Sequence, residues 1–439
     1  MASGQASRGI MMQATSAALR VPTTESGAFF DGVDLQALAR RLPTPFHVYS
    51  ATAIRERIAA LTAAVAGLDA LICYAVKANS NTAILQLMAE AGLGADIVSA
   101  GELRRSLRAG IPAERIVFSG VGKTAAEIDE ALATGILRFN VESRDELETL
   151  QRVAHERGTI AAAAVRINPD VDAGTHAKIS TGKAENKFGV SLHEARAWFA
   201  DSARFPNVRL DGLHVHIGSQ ILKPEPYEAA FEQVAAFERE LASSGHEINS
   251  IDVGGGLGVS YREGIDQPIG LPAYAGIIRR ALRHFTGQIV FEPGRLLVAD
   301  AGLLLTRVIR IKHGDQRHFL VLDSAMNDLQ RPSLYDAWHA IEPVAATKES
   351  LVAYDIVGPV CESADTFARG RFLPQCEPGD LLMIRATGAY GASMASTYNS
   401  RPLAAEVLLD EGRYAIVRRA QTLDELTAGE AAERTWESL

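Results

Sequence analysis

From residue 70 onward the chain alternates short β-rich runs with alanine-rich stretches of helical period, at intervals of roughly 20 to 45 residues, the rhythm of parallel βα units. Eight such runs can be counted, at 71–78, 95–99, 116–119, 137–141, 162–167, 213–217, 251–253 and 289–292. Between them lie amphipathic stretches such as 83–90, 101–109, 125–133, 144–156 and 227–243, with apolar residues at three- and four-residue steps. Eight parallel strands with intervening helices predict a (β/α)8 TIM barrel. A doubly wound open sheet also alternates, but here the glycine-rich stretch follows the seventh run, and no G-x-G-x-x-G opens the chain.

Beyond residue 296 the texture changes. Runs at 303–311, 319–322, 351–357, 381–384 and 404–409 are rich in β-branched and long apolar residues and are separated by turn signals such as His313-Gly-Asp315 and Asp410-Glu-Gly412. They predict a second, mostly antiparallel β-sandwich or β-barrel domain. The strand-like 46–49, set by Pro43 and Pro45, is expected to join it. The fold class is thus α/β plus all-β, with a barrel over 51–297 and a β-domain made of 25–50 and 298–439. Two domains also suit 439 residues, too many for one ordinary core. Residues 1–24 are small, polar and free of acid, with no apolar stretch of signal-peptide length. They read as a disordered leader or an added extension, although a transit peptide shares the composition.

Charge and cysteine content narrow the function. A net charge of -9 and a pI near 5.7 argue against a nucleic-acid surface, which needs clustered Lys and Arg. With 47% hydrophobic residues, a mean hydropathy of +0.03 and no segment long enough to span a bilayer, the composition is that of a soluble protein without a membrane partner. The expected partner is a small molecule. Cys73, Cys361 and Cys376 are too few and too scattered for a disulfide framework or a zinc knuckle, which fits a reducing cytoplasm.

In such a barrel the chemistry gathers at the carboxyl ends of the strands, and the loops after strands seven and eight often grip a phosphate. Strand one ends at Lys77, an ammonium at the tip of an apolar run. It either snorkels to solvent or serves Schiff-base chemistry. Strand seven runs into Asp252-Val-Gly-Gly-Gly-Leu-Gly258, whose adjacent glycines expose backbone N–H groups to an anion or simply make a tight turn. Strand eight runs into Phe291-Glu-Pro-Gly-Arg295, adding a guanidinium. Strand six ends in His214-Val-His216, where alternation along the strand puts both imidazoles on one side. No third ligand stands at suitable spacing, so no metal is expected. The pair is then structural, or one imidazole lies flat on an aromatic cofactor with Ser219 reaching a phosphate oxygen.

The motifs YAVKAN, HVHIGSQ, DVGGGLG, EPGR, GPVCESAD and GAYGASMASTYNSRP resemble, in order, those of the fold-type III pyridoxal-phosphate-dependent decarboxylases, and most closely the diaminopimelate decarboxylase family. The resemblance runs from about residue 25 to the end. It implies pyridoxal 5'-phosphate as cofactor, held by Lys77 as an internal aldimine, with Asp96 as the charge partner of that lysine. It places Glu292 against the pyridine nitrogen, His216 on the ring, and Ser219, Gly254, Gly255, Gly256, Gly294, Arg295 and Tyr390 in the cofactor's phosphate site. Arg295, Arg331 and Tyr335, with Tyr390, resemble the contacts to the distal amino-acid group of the substrate. Arginine forks suit a carboxylate and would repel the cationic end of ornithine or arginine. Glu362 would accept the distal ammonium, and Cys361 would protonate the carbon left after CO2 departs, although a free thiol is more commonly a small core residue.

The resemblance further implies a homodimer in which Cys361, Glu362 and Tyr390 complete the neighbouring subunit's site. The implied activity is conversion of meso-2,6-diaminopimelate to L-lysine and CO2, the last step of lysine biosynthesis. The alternatives are a decarboxylase of ornithine or arginine, or an amino-acid racemase, which shares barrel, lysine and cofactor but needs neither the Cys361-Glu362-Ser363 segment nor paired arginines. A non-catalytic cofactor-binding barrel would stop at roughly 230 residues. The polar stretch 175–189 reads either as a mobile loop near the mouth or as a solvated surface loop.

Overall fold

Eight short strands between residues 70 and 291 pair in parallel and close into a barrel. They are β1 (Ala70–Ala75), β2 (Gly94–Ile97), β3 (Ile116–Phe118), β4 (Arg138–Val141), β5 (Ala161–Arg166), β6 (Val208–His214), β7 (Ser250–Asp252) and β8 (Gln288–Phe291). Closure comes from β8 pairing with β1, Ile289 opposite Ala70 and Phe291 opposite Ile72. Most strand residues are buried because one face fills the barrel and the other meets the helices. Between them run α1 (Ala51–Ala64), which precedes β1, then α2 (Thr82–Glu90), α3 (Ala100–Arg108), α4 (Ala125–Thr134), α5 (Arg144–Glu156), α6 (Leu192–Ala200), α7 (Glu225–Ser243), α8 (Leu271–Ala281) and the short α9 (Arg295–Val298).

The chain marks where these helices begin. Asn81, Ser99, Ser143 and Ser191 each accept a backbone N–H of the first turn, and Thr124 with Glu127 forms a full capping box. Such caps fix the point at which each βα loop ends. They therefore fix where strand-end side chains sit.

The computed structural model describes residues 21–436 apart from 22, 25–26, 174–186, 347 and 432. Of the expected leader over residues 1–24, residues 1–20 lie outside the described residues, whereas Thr23–Thr24 form a short strand paired with Gly27 and Ala28; of the expected loop over 175–189, residues 175–186 lie outside them. The chain divides into two compact units, Ala51–Asp300 and Val21–Ser50 with Ala301–Leu439. Among the described residues, no helix is long and apolar enough to cross a membrane.

The second unit is built on a nine-stranded sheet. Its strands are Phe46–Ser50, β9 (Gly302–His313), β10 (His318–Leu322), β11 (Ile341–Pro343), β12 (Leu351–Val357), β13 (Thr366–Pro374), β14 (Leu381–Arg385), β15 (Ala405–Asp410) and β16 (Arg413–Arg418). Pairing is antiparallel except between β10 and β12 and between β15 and Phe46–Ser50. The early strand Phe46–Ser50 thus lies between β9 and β15. Leu304, Leu320, Tyr354, Ile356, Leu382 and Ile384 centre the core.

Several strand ends differ from the sequence reading, and at the first and sixth the difference moves a site residue. The first strand stops at Ala75, whose N–H bonds to Pro293 O at 3.0 Å, and Val76–Ala78 tighten into a 3-10 turn. Lys77 therefore stands on a turn above the barrel instead of on the strand. The sixth strand ends at His214, so His216 lies beyond it and strand alternation no longer ties the two imidazoles together.

Candidate active site

Lys77 Nζ lies 2.5 Å from Asp96 Oδ2. Asp96 is on β2, directly beside Ala75 in the barrel register, which carries its carboxyl to the foot of the Lys77 turn. It is wholly buried, whereas the lysine side chain is 37% exposed and can be reached from outside. Burial, reinforced by the nearby Glu292, pushes the Asp96 carboxyl up from its ordinary range, and Lys77 opposes that push. Gly294 belongs to the same corner, for a Cβ there would lie 3.0 Å from Ala78 Cβ and 3.1 Å from Ala75 Cβ.

Glu292 follows β8 and is buried among donors. Its Oε2 faces His214 Nε2 at 3.2 Å, and its Oε1 accepts from Ser119 Oγ at 3.2 Å and from Asn140 Nδ2 at 3.3 Å. Burial alone would raise this carboxyl, but His214 first and then Lys77 outweigh it and hold the group well below the usual carboxylate range. It is an anion in a dry place. Asp252, from β7, belongs to the same cluster: ligand atoms of His214, Asp252 and Glu292 lie within 4.8 Å of one another. These are the donor types of a metal centre, yet the carboxylate oxygens already engage Ser119, Asn140, His214 and the Gly254 N–H.

A backbone cradle lies beside this cluster. Gly254 holds φ +67°, and a Cβ on it would stand 2.4 Å from Val215 O. On Gly255 a Cβ would meet Glu292 O at 2.1 Å, and on Gly256 it would meet Gly218 O at 2.3 Å. Neighbouring backbone fills the space that any side chain would need, so the three glycines are required by close approach. Tyr227 of α7 supports the cradle by donating its hydroxyl to Gly255 O at 3.2 Å. At the adjoining loop Arg295 donates to Ser219 Oγ at 2.9 Å and to Tyr261 Oη at 2.6 Å. His216 Nδ1 accepts the Gly255 N–H at 3.2 Å, which assigns the ring hydrogen to Nε2. Desolvation, aided by Arg166, lowers its pKa to about 3, so the imidazole is neutral.

The remaining sequence-derived residues belong to the second unit. Arg331 is buried on the short helix Arg331–Tyr335 and bonds His339 Nε2 at 2.9 Å, while His339 Nδ1 donates to Arg385 O at 2.8 Å. Tyr335, at the end of that helix, is half-buried. Cys361 and Glu362 are exposed. The Cys361 N–H reaches Asn399 Oδ1 at 3.3 Å, and Glu362 pairs with the Tyr398 hydroxyl, pushing that phenol up. Tyr390 and Asn399 have φ of 56° and 58°, a left-handed conformation that side chains other than glycine adopt rarely, and one often held at functional loops.

Several residues in this architecture were not singled out from sequence: Ser119, Asn140, Asp252, Tyr227 and Tyr261. A signal existed for one of them. Asn140 is a polar residue inside the apolar run Phe139-Asn-Val141, and a buried amide is tolerated only with partners.

These side chains fit pyridoxal 5'-phosphate. The glycine backbone with Ser219 and Arg295 suits its phosphate, the anionic Glu292 suits a protonated ring nitrogen, and the reachable amine of Lys77 suits its aldehyde. Residues 51–299 match the family model described as "Pyridoxal-dependent decarboxylase, pyridoxal binding domain". Over 403 residues the chain is 47% identical to the diaminopimelate decarboxylase of Zymomonas mobilis, covering 91% of this chain and 96% of that one. It is also 47% identical to that of Pseudomonas aeruginosa, with 92% and 96% covered. The structure is similar to the diaminopimelate decarboxylase from Helicobacter pylori complexed with L-lysine, at a TM-score of 0.87 and 44% identity over 90% of this chain and 98% of that one. A lysine-bearing barrel fused in sequence to a sheet domain, and likeness along nearly its whole length, place this chain in the diaminopimelate decarboxylase family of pyridoxal-dependent decarboxylases.

Proposed function

We propose that the protein decarboxylates meso-2,6-diaminopimelate to L-lysine and CO2 in the cytoplasm, as a homodimer whose subunits share active sites. The observation that carries the reading is a reachable lysine amine, ion-paired to Asp96, whose charge also bears on a buried anionic glutamate beside a glycine cradle. A relative of 44% identity that binds L-lysine, the product of this reaction, supports the choice of substrate.

Bound pyridoxal 5'-phosphate supplies the electron sink that accepts the pair of electrons left when CO2 departs. The chain does the rest. Lys77 Nζ is the amine that holds the cofactor, and Asp96 orients it. Glu292 holds a proton at the ring nitrogen, where a cationic ring withdraws electrons best. His216, kept neutral, offers its face to the ring without adding charge. Gly254, Gly255, Gly256, Gly294, Ser219, Arg295 and Tyr390 bind the phosphate. Arg331, with Arg295 and Tyr335, receives the distal carboxylate, and Glu362 receives the distal ammonium. Cys361 Sγ delivers a proton to the carbon that has lost CO2. Cys361, Glu362 and Tyr390 act in the neighbouring subunit's site.

The purified enzyme is expected to release CO2 from meso-diaminopimelate with equimolar L-lysine, and to leave ornithine, arginine and lysine intact. Release from ornithine or arginine in preference would move the substrate assignment, and racemisation without gas would remove the decarboxylase reading. Sharing of sites has its own test. Cys361→Ala should lower turnover with the cofactor retained, and mixing it with Lys77→Ala should restore about a quarter of the parent activity, because half of randomly paired dimers then hold one intact site of two. No recovery on mixing would reject shared sites.

A further inference from the structure

Asp252 closes β7 and Glu292 follows β8, and both are buried. Their carboxyl oxygens belong to a cluster within 4.8 Å. Two carboxylates so close in a dry site cannot both stay ionised, because their repulsion adds to the desolvation that each already bears. One of them must hold a proton.

The donors around them decide which. Glu292 accepts from Ser119 and Asn140 and faces His214 Nε2, at 3.2, 3.3 and 3.2 Å. Asp252 accepts the Gly254 N–H through Oδ1 at 2.8 Å, and its Oδ2 has Asn140 Nδ2 at 3.4 Å. Donors thus converge on Glu292, whereas the second oxygen of Asp252 has only the long Asn140 contact and also faces the Glu292 carboxylate. We propose that Asp252 is a positioning residue that carries the proton of this pair and donates it in a hydrogen bond to Glu292, keeping Glu292 charged and aimed at the cofactor ring. Through Oδ1 the same side chain ties that acid to Gly254, so the ring end and the phosphate end of the site share one strut. No covalent step is involved, and the proton stays on Asp252 Oδ2.

The remaining ionisable neighbours agree with this placement. Burial first, then the Glu292 charge, push the Asp252 carboxyl well above its ordinary range, and Asp96 adds to the push. Cys73 and Tyr274, which also face the pair, are themselves raised by burial and by these carboxyls, so both are neutral. Arg138, on β4, is the exception: as a cation within the field of Asp252 it favours the ionised carboxyl, but burial and the Glu292 charge outweigh it.

The inference rests on the reading of Glu292 as the group that holds the ring-nitrogen proton, and the two can fail separately. In infrared difference spectra of the holoenzyme at neutral pH, a protonated-carboxyl carbonyl band that shifts in D2O and vanishes in Asp252→Asn is expected. If Asp252→Asn removes only carboxylate bands, Asp252 is ionised and the proposal is overturned. In kinetics, Asp252→Asn keeps a donor toward Glu292 and should hold kcat within about threefold of the parent. Asp252→Leu has no donor and should lose roughly tenfold in kcat at unchanged KM, equivalent to about one pKa unit at Glu292, and should shift the pH midpoint of the cofactor absorbance. Equal kinetics in the two variants would overturn the donor role. Failure of the Glu292 reading shows elsewhere, as a parent-like Glu292→Gln enzyme.

Discussion

Glu292→Gln is expected to lower kcat by roughly 10²–10³-fold, the scale of removing one preorganised electrostatic partner from a dry site, while KM changes little. The substitution keeps shape, removes the charge and turns one acceptor oxygen into a donor. His214, Ser119 and Asn140 surround the carboxylate at 3.2 to 3.3 Å and would still flank an amide. Lys77 and the glycine cradle are untouched, so the yellow cofactor should stay bound. An amide cannot keep a proton on the ring nitrogen, so the ring withdraws electrons poorly when CO2 leaves. Steady-state rates on meso-diaminopimelate, with the retained cofactor measured by absorbance, check this. A variant within threefold of the parent would mean that the charge at residue 292 does not serve the ring.

The barrel was legible because its signal is repetitive. Eight apolar runs separated by capped amphipathic helices leave few other folds, and an error at one strand end does not disturb the count. The strand ends themselves were less legible. That Ala75 would turn its N–H to Pro293 O, and so release Lys77 onto a 3-10 turn, depends on a pairing with a residue 218 positions later in the chain. Asp252 lay inside a motif already noted, but its approach to Glu292 needs β7 and β8 in register. The roles of Cys361, Glu362 and Tyr390 came from motif resemblance alone, since no periodicity reports on exposed loops. In the sheet domain, β13 and β16 escaped notice because arginine and glycine interrupt Thr366–Pro374 and arginines bracket Arg413–Arg418. Parallel insertion of Phe46–Ser50 beside β15 is likewise a long-range choice that five residues cannot announce.

Lys77→Ala is expected to abolish the borohydride-fixable absorbance band and to cut turnover by at least about 10³-fold, within the range for loss of a positioned proton-carrying group before the lost cofactor attachment is added. An inactive mutant is informative only if it folds, and Asp96 determines that. Removing Lys77 takes away a cation 2.5 Å from a wholly buried carboxyl. Asp96 is already pushed up by burial with Lys77 as the opposing influence, so in the variant it rises further and can take a proton instead of remaining a bare buried charge. The variant should therefore fold at mildly acidic pH. A carboxyl whose pKa is raised on folding binds more protons folded than unfolded, so its contribution to stability is greatest below the unfolded value and is lost as pH rises through the folded one. The melting temperature of Lys77→Ala should then fall further below that of the parent at pH 8 than at pH 5. A gap that narrows with rising pH would show that Asp96 does not depend on Lys77. A folded variant that kept its absorbance band would remove the lysine from its place as the amine that holds the cofactor.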